Sequence, residues 1–190
     1  MATMTHRTLP LPQGFRSSEA ALFFASLEDQ SRLLWSGLEG ITPDELRWQA
    51  NPGMNTIGML LTHLAIVETW WTKLIVEKME EATVQPVLGI GDDDDGMPIK
   101  PGERPIALLD GKDLAFFRDL NGKARAYVRS KMATMTDADL EAETPRTRPD
   151  GTSVAISGRW YLYHVLEHFS GHYGQILLLR HLYRDAKARG

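Results

Sequence analysis

The segment RWYLYHVLEHFSGHYGQILLLRHLY carries histidines at 164, 168 and 172, each four residues from the next. Around them Leu162, Val165, Phe169, Tyr173 and Ile176 recur at spacings of three and four. That is the period of an amphipathic helix, and on a helix the three histidines rise along one side, a turn apart. These three are half of the chain's six histidines. A fourth, His63, lies in TIGMLLTHLAIVETWWTKLI, which has the same period through Leu60, Leu64, Val67, Trp71 and Leu74. Two helices that bring imidazoles together are a common way for a bundle to build a metal site.

The rest of the chain is read around these two segments. Residues 1–17, with Pro10, Pro12 and Gly14, read as an extended tail, and residues 18–185 as a single domain. A first long helix is expected to start after Ser17 or Ser18 and run to about Leu38, with Leu22, Leu27, Leu34 and Leu38 as its apolar positions and Gly40 as its stop. ITPDELRWQ then predicts a short helical turn, with Thr42 as cap, Pro43 at the first position and Glu45 completing a capping box. Asn55 is placed as the cap of a second long helix over about 55–81. Residues 82–109 hold prolines, glycines and the run Asp92–Asp95, and predict a long crossover loop, mobile at its acidic tip. The acidic run lacks the spacing of an EF-hand loop and reads as a solvated charge run.

Asp110 is placed as the cap of a third long helix over about 111–133. MTDADLEAE then echoes the earlier turn, Thr136 to Leu140 matching Thr42 to Leu46. Pro149-Asp150-Gly151 predicts a tight turn joining two short strands within 144–156, and the last long helix runs from about Gly158 to Arg184. The expected fold is all-α: a four-helix bundle with one long crossover between its second and third helices.

At about 100° per residue, His172 lies about 60° from Phe169, His168 about 100° and His164 about 140°, all to one side. His63 lies about 60° from Leu60, at the border of its own stripe. The wheel therefore selects His63, His168 and His172 as a converging set and leaves His164 outside it. Small Gly171 and Gly174 flank the pair on the last helix. Two readings stand on pattern alone: hydrogen-bonded structural histidines, or metal ligands. The chain has no cysteine, so any metal must be held by nitrogen and oxygen donors. Net charge is −4 with no basic face, which disfavours nucleic acid as partner. No apolar run is long enough to span a bilayer, the N-terminus does not read as a secretory signal, and the expected compartment is the cytoplasm.

The segments HVLEHFSGHYGQILLLRHL and NTIGMLLTHLAIVETWW resemble the last and second helices of the DinB/YfiT-like superfamily. ITPDELRWQANPGMNTIG and TDADLEAE resemble its linkers, so that the likeness runs from about residue 18 to 185. The resemblance implies an up-down-down-up bundle that binds a divalent metal, zinc or nickel, through three histidines. Carried over by position these are His63, His168 and His172, with His164 the non-ligand histidine. One departure is Tyr173, where the family's pattern has Arg after the last histidine. A related branch, the mycothiol-dependent maleylpyruvate isomerases, has glutamate at the place of His168, which argues against membership of that branch.

Three imidazoles leave a coordination position open, and a closed structural site would need a fourth protein ligand. Two chemistries follow: metal-assisted hydrolysis, and transfer of a low-molecular-weight thiol to a small-molecule substrate. The resemblance implies the thiol chemistry for several branches. The competing expectation is a non-catalytic, metal-stabilised bundle acting as an interaction module, and a homodimer is expected in either case. Glu68, about 140° round from His63, is read as an interhelical salt bridge or solvent contact, and Glu167 as pointing away. Gln175 either holds a ligand imidazole or a substrate, or bonds a neighbouring helix. Trp70 and Tyr161 are read as core in preference to pocket walls, and Arg159 and Arg180 as surface residues.

Overall fold

The computed structural model describes residues 7–97, 99–147 and 150–189. Residues 1–6 of the expected tail, and Pro149 of the expected turn, lie outside that description. Four long helices dominate: α1 (Ser18–Gly37), α3 (Ile57–Ile75), α5 (Leu114–Met132) and α7 (Gly158–Arg189). Between them run the short helices α2 (Pro43–Arg47), α4 (Gln85–Leu88) and α6 (Asp137–Glu141), with a 3-10 turn at Ala107–Leu109. One antiparallel hairpin, β1 (Glu143–Thr147) with β2 (Ser153–Ser157), pairs Thr144 with Ile156 and Arg146 with Val154. The chain is mostly helical, which broadly fits the all-α expectation, and the hairpin lies where two short strands were expected.

The helices start where a side-chain oxygen can accept an orphan backbone N–H. Ser17 caps α1 through Ala20 N, as expected. On α3 the cap is Thr56, through Met59 N, and not Asn55, whose Oδ1 is buried without a partner among the described residues. On α5 the cap is Asp113 and not Asp110. Gly111 sits at φ 70°, a left-handed turn that no helix can run through. Helix α3 ends at Ile75, short of the expected 81, because Lys78 turns left-handed and Met79 N folds back onto Lys73 O. Helix α7 runs past the expected Arg184 to Arg189 through the strong helix formers Ala186, Lys187 and Ala188.

Helix α3 is the hub of the core and packs against α5 and α7, while α1 packs against α7 and α5. Its residues are buried on nearly every side, from Ile57 through Leu60, Leu61 and Leu64 to Leu74. Phe117 of α5 and Phe169 of α7 are fully buried, each contributing of the order of 1.5–3 kcal/mol. On α1 the inward stripe is Ala20, Phe24, Leu27, Leu34 and Leu38; Leu22 is exposed. The echoed linkers α2 and α6 both form, capped by Thr42 and Thr136. The capping box, however, belongs to α6, between Thr136 and Asp139. In α2 Glu45 is drawn away to Arg180.

The 82–109 segment is more ordered than a plain loop. Val84 and Leu88 of α4 pack on Ala65, Ile66, Leu120 and Ala124 in a small second core. The acidic run then folds on itself: Asp92 accepts from Val84 N, Asp94 from Gly91 N and Asp95 from Met97 N. No helix of the described residues is long and apolar enough to cross a membrane.

Candidate metal centre

His63 projects from the second turn of α3, and His168 and His172 from successive turns of α7. The packing of α3 on α7 brings the three imidazoles together, with ring centroids 4.4–5.0 Å apart. His168 Nε2 lies 3.2 Å from His63 Nε2 and 3.1 Å from His172 Nε2. All three nitrogens fall within 4.8 Å of one another. The rings are half-buried.

The outer ring nitrogens fix which way the inner ones face. His63 Nδ1 is 2.7 Å from Asp95 Oδ2, and an ionised carboxylate can only accept, so Nδ1 carries the proton. His172 Nδ1 donates to Gln175 Oε1 at 2.8 Å. In the neutral rings both Nε2 atoms are therefore lone pairs directed at His168, whose own Nε2 carries at most one proton. Burial, reinforced by His172, His63 and His164, pulls the His168 pKa down to about 3. Burial also lowers that of His172, partly offset by its bond to Gln175. Neutral imidazoles with convergent lone pairs are the donor set a borderline cation takes. Two nitrogens about 2.0–2.1 Å from one ion stand roughly 2.9 Å apart at a right angle and roughly 3.4 Å apart at the tetrahedral angle. The observed 3.1 and 3.2 Å fall between these, so the residues fit a metal.

His164 stays outside the cluster. Its ring stacks on Trp160 at 4.7 Å and 9°, and its Nδ1 lies 3.4 Å from Glu167. The residue that sequence reasoning missed is Asp95. It belongs to the run expected to be solvated, yet it is only 4% exposed and holds His63. A signal existed, since metal-ligating histidines commonly give their second N–H to a carboxylate. The acidic run lies in the crossover that leaves the His63 helix.

The remaining candidates fall into place. Glu68 is buried in an interhelical ion pair with Arg125, which also reaches Glu28. Glu167 points to solvent. Gln175 takes the first of its two expected roles, holding His172. Tyr161 is core, its hydroxyl 2.7 Å from Thr72 Oγ1. Trp70 is half-buried beneath the guanidinium of Arg146. Arg159 pairs with Glu19 and Glu141. Arg180 is not a surface residue; it is buried, bound to Glu45 and to the carbonyls of Gly37 and Glu39. Gly171 and Gly174 are exposed, and a Cβ at either would meet nothing within 4 Å.

The profile of the mycothiol-S-transferase family matches residues 22–185, most of the chain. The chain belongs to the mycothiol-S-transferase family. This family is DinB/YfiT-like, as the two histidine segments led one to expect. A crystal structure described as the conserved protein of locus from Enterococcus faecalis has a similar fold, with a TM-score of 0.59. At 12% identity the likeness covers 85% of this chain and 94% of that one, and it speaks for the fold alone. No protein of curated function is a significant match. Membership of the mycothiol-S-transferase family together with the three-histidine cluster points to metal-assisted chemistry on a small-molecule thiol.

Proposed function

We propose that this protein is a divalent-metal-dependent thiol S-transferase acting on a small molecule. In this reading residues 18–185 form one domain, a four-helix bundle of up-down-down-up order. His63, His168 and His172 hold zinc or nickel. The observation that carries the reading is the pair of proton-fixing contacts, Asp95 on His63 and Gln175 on His172, which turn two Nε2 lone pairs toward His168. Bound there, the cation would supply the Lewis acidity that lowers the pKa of a coordinated thiol. The chain's own part is to hold His168 and His172 neutral through burial and to fix the Nδ1 protons of His63 and His172. With no cysteine in the chain, the nucleophilic sulfur comes from the small thiol. The same centre would serve a hydrolase, but the family favours sulfur transfer.

The test is metal analysis of the purified protein and of two variants, followed by a thermal-shift screen with low-molecular-weight thiols. His63→Ala is expected to abolish metal binding and His164→Ala to leave it intact. A further shift with at least one thiol is expected only for the metal-loaded protein. Metal uptake with no response to any thiol would overturn the transferase reading and leave a metal-stabilised helical module.

A further inference from the structure

A second constellation lies beside the imidazole cluster. On α7, Trp160 precedes His164 by one turn, and their rings stack. Trp71 of α3 closes on both, with its ring centroid 5.6 Å from that of Trp160 and 5.0 Å from that of His164. His164 in turn stands 5.7 Å from His168. An aromatic row thus runs from Trp160 through His164 to the candidate metal ligands. Over it leans Arg146 from β1, its guanidinium 4.4 Å from the ring of Trp70 and 5.6 Å from that of Trp71. Trp71, Trp160, Arg146 and the β2 residues Val154 and Ile156 wall a cavity of about 430 Å3, a volume typical of small-molecule sites.

Core packing accounts for Trp70, Trp71, Val154 and Ile156, but not for Trp160 or Arg146. Trp160 is 43% exposed and lines the cavity. Arg125, Arg159 and Arg180 are all committed to carboxylates, whereas Arg146 has no acidic partner among the described residues. A guanidinium lying on an indole uses its face. Its edge N–H groups remain available for a carboxylate, which they grip in bidentate fashion. The indole faces beside it suit a flat π-system.

We propose that this cavity is the subsite for the acceptor substrate of the transferase, and that it takes a flat aromatic or conjugated body bearing a carboxylate. The carboxylate pairs with Arg146 and the planar body lies against Trp71 and Trp160. His164, stacked on the cavity's Trp160 and 5.7 Å from His168, links this cavity to the imidazole cluster. That placement explains why the first rung of the ladder is aromatic platform and not ligand. The name acceptor rests on the S-transferase reading; the binding chemistry does not.

Ligand-observed NMR with trans-cinnamate tests the proposal. Cinnamate is expected to bind, with cinnamyl alcohol, which lacks the charge, and fumarate, which lacks the ring, at least about tenfold weaker. Arg146→Ala and Trp160→Ala are each expected to weaken cinnamate by about tenfold or more while the helical circular dichroism stays unchanged. Arg146→Lys is expected to recover only part of the loss, because an ammonium cannot make the bidentate contact. Absence of cinnamate binding, or equal binding by Arg146→Ala, overturns the proposal. So does preferential binding of a neutral saccharide such as methyl glucoside in the same cavity, which would assign it to a neutral polar ligand instead. His63→Ala separates the two readings: loss of metal with cinnamate binding intact supports an independent subsite. A failed thiol screen with cinnamate still bound would remove the transferase and keep the pocket.

Discussion

Asp95 reaches His63 across 32 residues of sequence and fixes the proton on Nδ1. Carboxylates in this position orient the ring and raise its basicity, and their loss commonly costs 10–100-fold in metal affinity. Asp95→Ala is therefore expected to weaken zinc by about 100-fold, and Asp95→Asn, which keeps an acceptor but no charge, by about tenfold. Competition against a chelator of known affinity measures both, and an unchanged affinity in Asp95→Ala would show that the bond plays no part in metal binding. The histidines and the aspartate differ in how far sequence reveals them. His168 and His172 are bound to one helix, so that period 3.6 alone puts them side by side, and the border position of His63 follows from the same rule. Asp95 obeys no period. Its position depends on Val84 and Leu88 anchoring α4, and on three carboxylates closing a tight turn on backbone N–H groups. Four adjacent aspartates look like a solvated patch because nothing local distinguishes the one that turns inward. Arg146 was missed for the same reason, since a hairpin register decides that it lies over Trp70.

Among the elements, the long helices were legible and their ends were not. A helix interior is set by many apolar residues, whereas each end is a contest between neighbouring polar side chains for one N–H. Gly111 settles that contest in favour of Asp113, and Lys78 ends α3 at a residue no stop rule marks. One of the ion pairs that tie the elements together lies between α3 and α5. Glu68 is buried and Arg125 nearly so, and Glu28 of α1 joins them. Removing one partner of a buried pair leaves a charge without compensation, a loss of about 3–5 kcal/mol. Glu68→Ala is thus expected to destabilise the fold by about 3 kcal/mol in urea unfolding. Because Glu68 faces away from the imidazoles, metal affinity of the folded fraction should not move. A stability loss under about 1 kcal/mol would assign the pair to the weak, solvent-screened class. Closer packing acts at the start of α7, where a Cβ on Gly158 would stand 2.3 Å from Asp139 O. Gly158→Ala must push α6 and α7 apart, at an expected cost of about 1–3 kcal/mol in the same assay.

At the scale of the whole molecule, the imidazole cluster couples folding to protons and to metal. His168 is held near pKa 3 in the fold against an ordinary value of 6.5. The unfolded chain therefore binds more protons than the native one between these limits, and stability rises with pH there. Read downward, the metal-free protein keeps its full contribution above about pH 6.5 and loses it progressively as pH falls toward 3. Metal acts in the same direction, because it binds only the neutral rings of the folded state. At a free concentration 100 times Kd it adds about 2.7 kcal/mol. The expected outcome is a melting temperature that climbs with added zinc at pH 7 and responds less and less as the pH is lowered below 6. His168→Ala should flatten both dependences together, since one side chain carries the proton linkage and a share of the metal site. His164→Ala, outside the cluster, should leave the zinc dependence as it is. If zinc raised the melting point of His168→Ala as much as that of the parent, the ion would be binding elsewhere, and the convergence of α3 and α7 would be a packing feature with no hold on the metal.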